Sequence, residues 1–310
     1  MDGYEWKAII KLNISTLKLM GLWPNVDEVC KLNFYTIYTV ITIILFMNGS
    51  VFFQIMYVIL VPTDLDGFTE MMFIILTKSL VCIKALCLLQ NVKEVNQILT
   101  VLGCNLFRLK TEKQWRMIQP ALFFWKMTYL AFWSLAGGTI IMWSILPILD
   151  KSFKEYKLPF PAWYPYNTAS TPLYEITYFH QVFGVFIIAT TDANMDTLCS
   201  ALMMFVGAQC DILCDDLRNL QGEKFDDKLL VCIRHHKLIL SFAENSNKFF
   251  NMVVLGQFFT ASVNIAMAMY RLSMVDPLSS ESYSLLFYMS AITVQLFLYC
   301  WFGNEAELKV

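Results

Sequence analysis

Six stretches of this chain are apolar for long enough to cross the hydrocarbon of a bilayer, and that repetition limits what it can fold into. A spanning helix needs about 20 mainly apolar residues. The pattern predicts spans at 35–61, 68–89, 123–149, 174–193, 251–271 and 284–302. Pro62 stops the first, Gly137-Gly138 centre the third, and the third ends around Pro147. The second carries Glu70, Lys78 and Lys84 in its apolar run. The expected class is an all-α membrane protein, a multi-span helical bundle. A hydrophobic fraction of 57% agrees, since soluble domains sit nearer 45–50%. No secretory leader opens the chain: Asp2, Glu5 and Lys7 introduce a mixed amphipathic segment.

The fourth run changes character at Thr190-Thr191-Asp192 without a helix stop. No proline interrupts 173–276, and Leu213, Leu217 and Leu220 continue at helical spacing. One long helix is predicted to leave the membrane, run on in water and turn at Gln221-Gly222. The chain returns as an amphipathic Leu229–Phe250 stretch, so 194–250 forms an extramembrane anchor segment.

Lysine and arginine in the connections set the orientation. Placing 1–34 in the cytoplasm puts sixteen basic residues inside and four outside, namely Lys151, Lys154, Lys157 and Arg271. The N-terminus is therefore expected inside, with the extensions of the fourth and fifth helices also cytoplasmic. Under that topology none of the nine cysteines falls in an outer loop, and no disulfide framework is expected. This speaks against an ordinary G-protein-coupled receptor. The sequons at Asn13 and Asn48 fall in the cytoplasm and the membrane. No basic run suits nucleic acid; membrane lipid is the expected surrounding.

Candidate chemistry is sparse, and no catalytic residue, metal site or cofactor is assigned. Asp192 and Asp196, one turn apart, sit where the fourth helix should reach the surface, which favours solvated or packing roles over a proton relay. Adjacent His235 and His236 point about 100° apart on a helix and cannot share an ion without further ligands. Cys210 and Cys214 share a helix face and read as small buried hydrophobes. Lys78 lies mid-span, where insertion costs roughly 2.5–3.5 kcal/mol. It must face another helix or a wet crevice, with packing and function both open.

Between the third and fourth spans, 150–173 holds Leu158-Pro159-Phe160-Pro161-Ala162-Trp163-Tyr164-Pro165-Tyr166. Proline stiffens it and its aromatics need burial, so it is expected to fold as a lid. Beneath it the outer halves of the spans supply Met71, Met72, Ile75, Ile140, Trp143, Tyr178, Phe179, Phe183, Tyr283 and Phe287. Such a set suits a small, mainly apolar ligand. On the residues alone, plain bundle packing is the more economical use of them.

Four words then add a resemblance. Gly21-Leu22-Trp23-Pro24, the lid from Leu158 through Pro159, Pro161 and Trp163 to Gln181, Cys232–Phe242, and Tyr299-Cys300-Trp301-Phe302-Gly303-Asn304-Glu305 resemble, in order, the signatures of the insect odorant receptors. The resemblance implies a plasma-membrane subunit in olfactory dendrites, a ligand-gated cation channel formed as a heterotetramer with an odorant co-receptor. It implies a small volatile ligand in the outer half of the bundle, with Met72, Trp143, Tyr178, Phe183 and Phe287 as candidate contacts. Family members continue past the Tyr299–Glu305 word into a seventh, pore-lining helix. The expectation is therefore a shortened record or isoform, or a receptor-like chain without a normal pore wall. A gustatory-type receptor of the same superfold is the nearest alternative. A small transporter would show repeats or interrupted mid-membrane helices, which are not evident.

Overall fold

The computed structural model describes residues 7–24, 33–62, 65–149, 152–220 and 225–310. The elements are α1 (Lys7–Leu19), α2 (Phe34–Ile41), a π-helical stretch (Thr42–Asn48), α3 (Gly49–Leu60), α4 (Leu65–Gln90), α5 (Val92–Val101), α6 (Glu112–Leu149), α7 (Leu173–Arg218), α8 (Phe225–Met274) and α9 (Ser280–Lys309). Among the described residues there is no strand. Six helical stretches are long and apolar enough to cross a membrane: Phe34–Leu60, Gly67–Gln90, Glu112–Ile145, Leu173–Arg218, Phe225–Met274 and Ser280–Lys309. At 46 and 50 residues, α7 and α8 run about 69 and 75 Å. A hydrocarbon core of about 30 Å cannot contain them, so both extend beyond it.

Local chemistry sets several ends. Asn33 caps α2 by accepting the Thr36 N–H at 2.9 Å, and Ser279 caps α9 by accepting that of Ser282 at 3.1 Å. Gly21 closes α1 with φ +79°. Its N–H reaches Lys18 O at 3.1 Å while the Leu22 N–H reaches Leu17 O at 2.9 Å, the paired bonds of a left-handed glycine stop. A Cβ on Gly21 would also come within 3.1 Å of the Tyr38 ring.

The bundle is built around α7. From Ala193 to Leu202 every residue of it is buried, enclosed by α1, α4, α6, α8 and α9. Asn13 of α1 seats on it, its Nδ2 donating to Asn194 O at 3.2 Å and Thr197 Oγ1 at 2.6 Å. The expected unbroken continuation of this helix past Thr190-Thr191-Asp192 is present, and the part that runs on is packed inside protein rather than bare on its surface. Its neighbours cover it, which is why its small and apolar residues continue on all faces.

Other departures follow from context that local patterns do not carry. The first span contains the π-helical stretch, the helix that carries the third begins at Glu112, ahead of the predicted span, and α9 runs through Tyr299–Glu305 to Lys309 rather than ending there. Gly303 faces α7, where a Cβ would make an ordinary contact with Met203 Sδ at 3.9 Å. Lys309 fixes the end of α9, with Nζ 3.0 Å from Asp211 and 3.2 Å from Glu305. In the polar half of α8, buried His235 has Nε2 3.0 Å from Gln209 Oε1 while His236 is exposed. Burial, with Lys110 nearby, holds His235 down at about 4. Cys210 is buried and Cys214 exposed. The expected Gln221-Gly222 turn lies outside the described residues.

Candidate ligand site

A cavity of about 90 Å³ lies between α4, α6, α7 and α9. Ala136 on α6 and Ala291 on α9 leave the room, and Ile74, Ile140, Val185 and Ile292 make most of the wall. A dry cavity of about 150 Å³ holds benzene, so this space fits a compact molecule of a few non-hydrogen atoms. Polar groups enter the wall at few points: Thr77, Lys78, Thr139, Asp192, Tyr288 and Gln295. Thr77 Oγ1 lies 2.7 Å from the Tyr288 hydroxyl oxygen and accepts from Asn264 Nδ2 at 2.8 Å.

The lid packs on the wall at one end, against Trp143 and Lys78. Phe160 is buried, meeting the Trp143 ring edge-on at 5.5 Å, and Trp143 in turn lies 5.4 Å from Tyr288. Gln181 of α7 holds Phe160 in place from both sides. Its Oε1 accepts the Phe160 N–H at 3.0 Å and its Nε2 donates to Phe160 O at 3.0 Å. The Trp163 N–H reaches Phe53 O of α3 at 3.0 Å. Phe160 also covers Lys78, whose Nζ stands 4.6 Å from the ring centroid and donates to Gln54 Oε1 at 3.0 Å. Lys78 thus faces protein and cavity.

The other end of the cavity rests on a buried charge cluster. Lys84 Nζ lies 2.6 Å from Asp192 Oδ1 and 2.7 Å from Asp196 Oδ1. The Tyr299 hydroxyl donates to Asp196 Oδ1 at 2.5 Å, and Gln295 Nε2 donates to Asp192 Oδ2 at 2.8 Å and to Asp196 Oδ2. Of the solvated or packing roles expected for the two aspartates, the packing role is the one observed: Lys84 and Asp196 are fully buried. Pairing with a lysine far away in sequence makes that burial tolerable.

Of the five candidate contacts, Trp143 borders the cavity. Tyr178 lies one layer out, donating to Ser144 O at 2.5 Å. Met72 is half-buried elsewhere on α4. Phe183 is exposed, stacked on Phe179 at 5.5 Å and edge-on to Phe46 at 4.8 Å. Phe287 is exposed and covers Gly138, where a Cβ would come within 3.1 Å of its ring. Sequence reasoning placed Phe160 in the lid but missed Gln181, Lys84, Tyr288 and Gln295 as parts of this site. The available signal was polar residues inside apolar runs, as at Lys84 and Gln295.

A family model described as "7tm Odorant receptor" matches residues 64–309. The chain belongs to the odorant receptor family. Odorant receptor Or1 of Anopheles gambiae is 25% identical over 98% of this chain and 79% of its own length. Odorant receptor 46a, isoform A, of Drosophila melanogaster is 21% identical over 94% and 78%. Among solved structures, the olfactory receptor OR5 of Machilis hrabei shares the fold with a TM-score of 0.85 at 17% identity, covering 98% of this chain and 80% of that one. Its complex with eugenol matches at 0.83 and 18% identity, covering 97% and 81%.

The signature residues of this odorant receptor family member have structural work within the bundle. Trp23 is buried and its N–H donates to Tyr35 Oη at 3.1 Å. Pro24, Pro159, Pro161 and Trp163 are half-buried. Tyr299 reaches the charge cluster, Gly303 lies near Met203 in α7, and Glu305 pairs with Lys309. Cys300 is exposed.

Proposed function

We propose that this chain binds a small, mainly apolar volatile molecule in the cavity beneath Phe160 and that occupancy gates a cation channel. The observation that carries the reading is a lid-covered apolar cavity with few, convergent polar groups, in the fold of a receptor described with eugenol. Ligand acts by stabilising whichever state offers the tighter cavity. In this reading the subunit assembles with an odorant co-receptor in the dendritic plasma membrane of olfactory neurons. Trp143 contacts ligand directly, while Met72, Tyr178, Phe183 and Phe287 shape the bundle around the cavity. The 16-to-4 basic asymmetry supports a cytoplasmic N-terminus and an outward-facing lid.

The test is odour-evoked current from the chain expressed with the co-receptor. Trp143→Ala removes a wall, and potency of the best volatile is expected to fall about tenfold or more, the equivalent of ~1.4 kcal/mol. An unchanged concentration–response curve would remove the cavity from the binding path. For orientation, an N-terminal tag is expected to take antibody only after permeabilisation. Labelling of intact cells would reverse the topology.

A further inference from the structure

Two lysines are buried in the bundle, and they are treated differently. Lys84 is matched by two carboxylates. Lys78 is 4% exposed, borders the cavity, and forms no ion pair among the described side chains. Glu70 is two turns away along α4, about 12 Å of rise. What Lys78 does have is one acceptor, Gln54 Oε1 at 3.0 Å, and one aromatic face, Phe160. An ammonium carries three N–H donors and no acceptor. Gln54 adds to the surplus: with Oε1 turned to the lysine, its own Nε2 is buried without a partner. This end of the site therefore holds more donors than acceptors, and its lysine makes no ion pair among the described side chains.

We infer that the cavity selects ligands whose polar end is a carboxylate, that is, short-chain monocarboxylic acids. The inference rests on the cavity reading above. A carboxylate brings two acceptor oxygens and the missing negative charge, and charge-assisted bonds are stronger than those to a neutral carbonyl. Its alkyl tail would lie against Ile140, Val185 and Ile292, and the small volume restricts that tail to a few carbons. Asp192 lies at the opposite end with its oxygens held by Lys84 and Gln295, so the carboxylate is placed at the Lys78 end.

The experiment uses the full chain purified in detergent, with butanoate, butanal and pentane as probes and tryptophan fluorescence as the readout. Wild type is expected to bind butanoate most tightly. K78M is expected to lose about tenfold or more in butanoate affinity with butanal and pentane changed less than about twofold, while K78R keeps butanoate binding. K78Q repeats the test should K78M fail to elute as a single species. Butanal or pentane binding without preference for butanoate, or equal butanoate binding by K78M, overturns the carboxylate inference and leaves the cavity reading standing. Binding of none of the three overturns both.

Discussion

Replacing Lys84 with methionine is expected to cost this receptor roughly 3–5 kcal/mol, the usual penalty for removing one partner of a buried ion pair. Set against a total stability of about 5–15 kcal/mol, most of the recoverable folded protein should be lost. Both carboxylates depend on that ammonium, at 2.6 and 2.7 Å, and Lys84 and Asp196 have no access to water. Tyr299 and Gln295 remain as donors in the variant, but hydrogen bonds do not supply the missing charge. Thermal unfolding in detergent should fall on the order of 10 °C. A companion variant separates charge from shape. Lys84→Met with Asp192→Asn and Asp196→Asn leaves no charge in the cluster, and such neutral replacements are often tolerated. It should regain at least about half of the loss. A single K84M variant that melts with wild type would show that the cluster carries no net stabilisation.

The same cluster shows what could be read from the sequence and what could not. The six spans were legible because crossing a bilayer demands a minimum apolar length, and each predicted interval overlaps a helical stretch of sufficient length and apolarity, with 35–61 and 123–149 overrunning theirs by a few residues. The meeting of Lys84 with Asp192 and Asp196 was not legible, since it depends on which faces of α4 and α7 oppose each other. In a lipid-facing bundle the usual guide fails: helices are apolar toward lipid and toward protein alike, so hydrophobic periodicity does not name the buried face. Phe179, Phe183 and Phe186 share one exposed stripe of α7, although by composition they look as suited to a pocket as Trp143. The lid was legible from its prolines and aromatics. Its fastening was not, because Gln181 acts on Phe160 through backbone atoms, which every residue offers equally.

That fastening makes Gln181→Leu the most direct test of the lid. Leucine is close to glutamine in size, so the change removes both hydrogen bonds to Phe160, and the longer one to the Tyr164 hydroxyl at 3.4 Å, with little change in packing. The Phe160 N–H and C=O, each bonded at 3.0 Å in the wild type, are then buried without partners. Each such orphan costs about 1–3 kcal/mol, and a short segment has little else with which to offset it. The segment's simplest relief is to lift Phe160 off Trp143 and Lys78 and let water reach the freed groups. The Trp163 bond to Phe53 of α3 is untouched, so loosening should be confined to the residues around Phe160. Amide exchange should then accelerate by about tenfold or more at Phe160 while the Trp163 amide keeps its protection. Dissociation of a bound volatile should speed up with it, because the lid and not the wall would limit escape. Unchanged exchange at Phe160 would mean that the aromatic contacts of its ring hold the lid without Gln181.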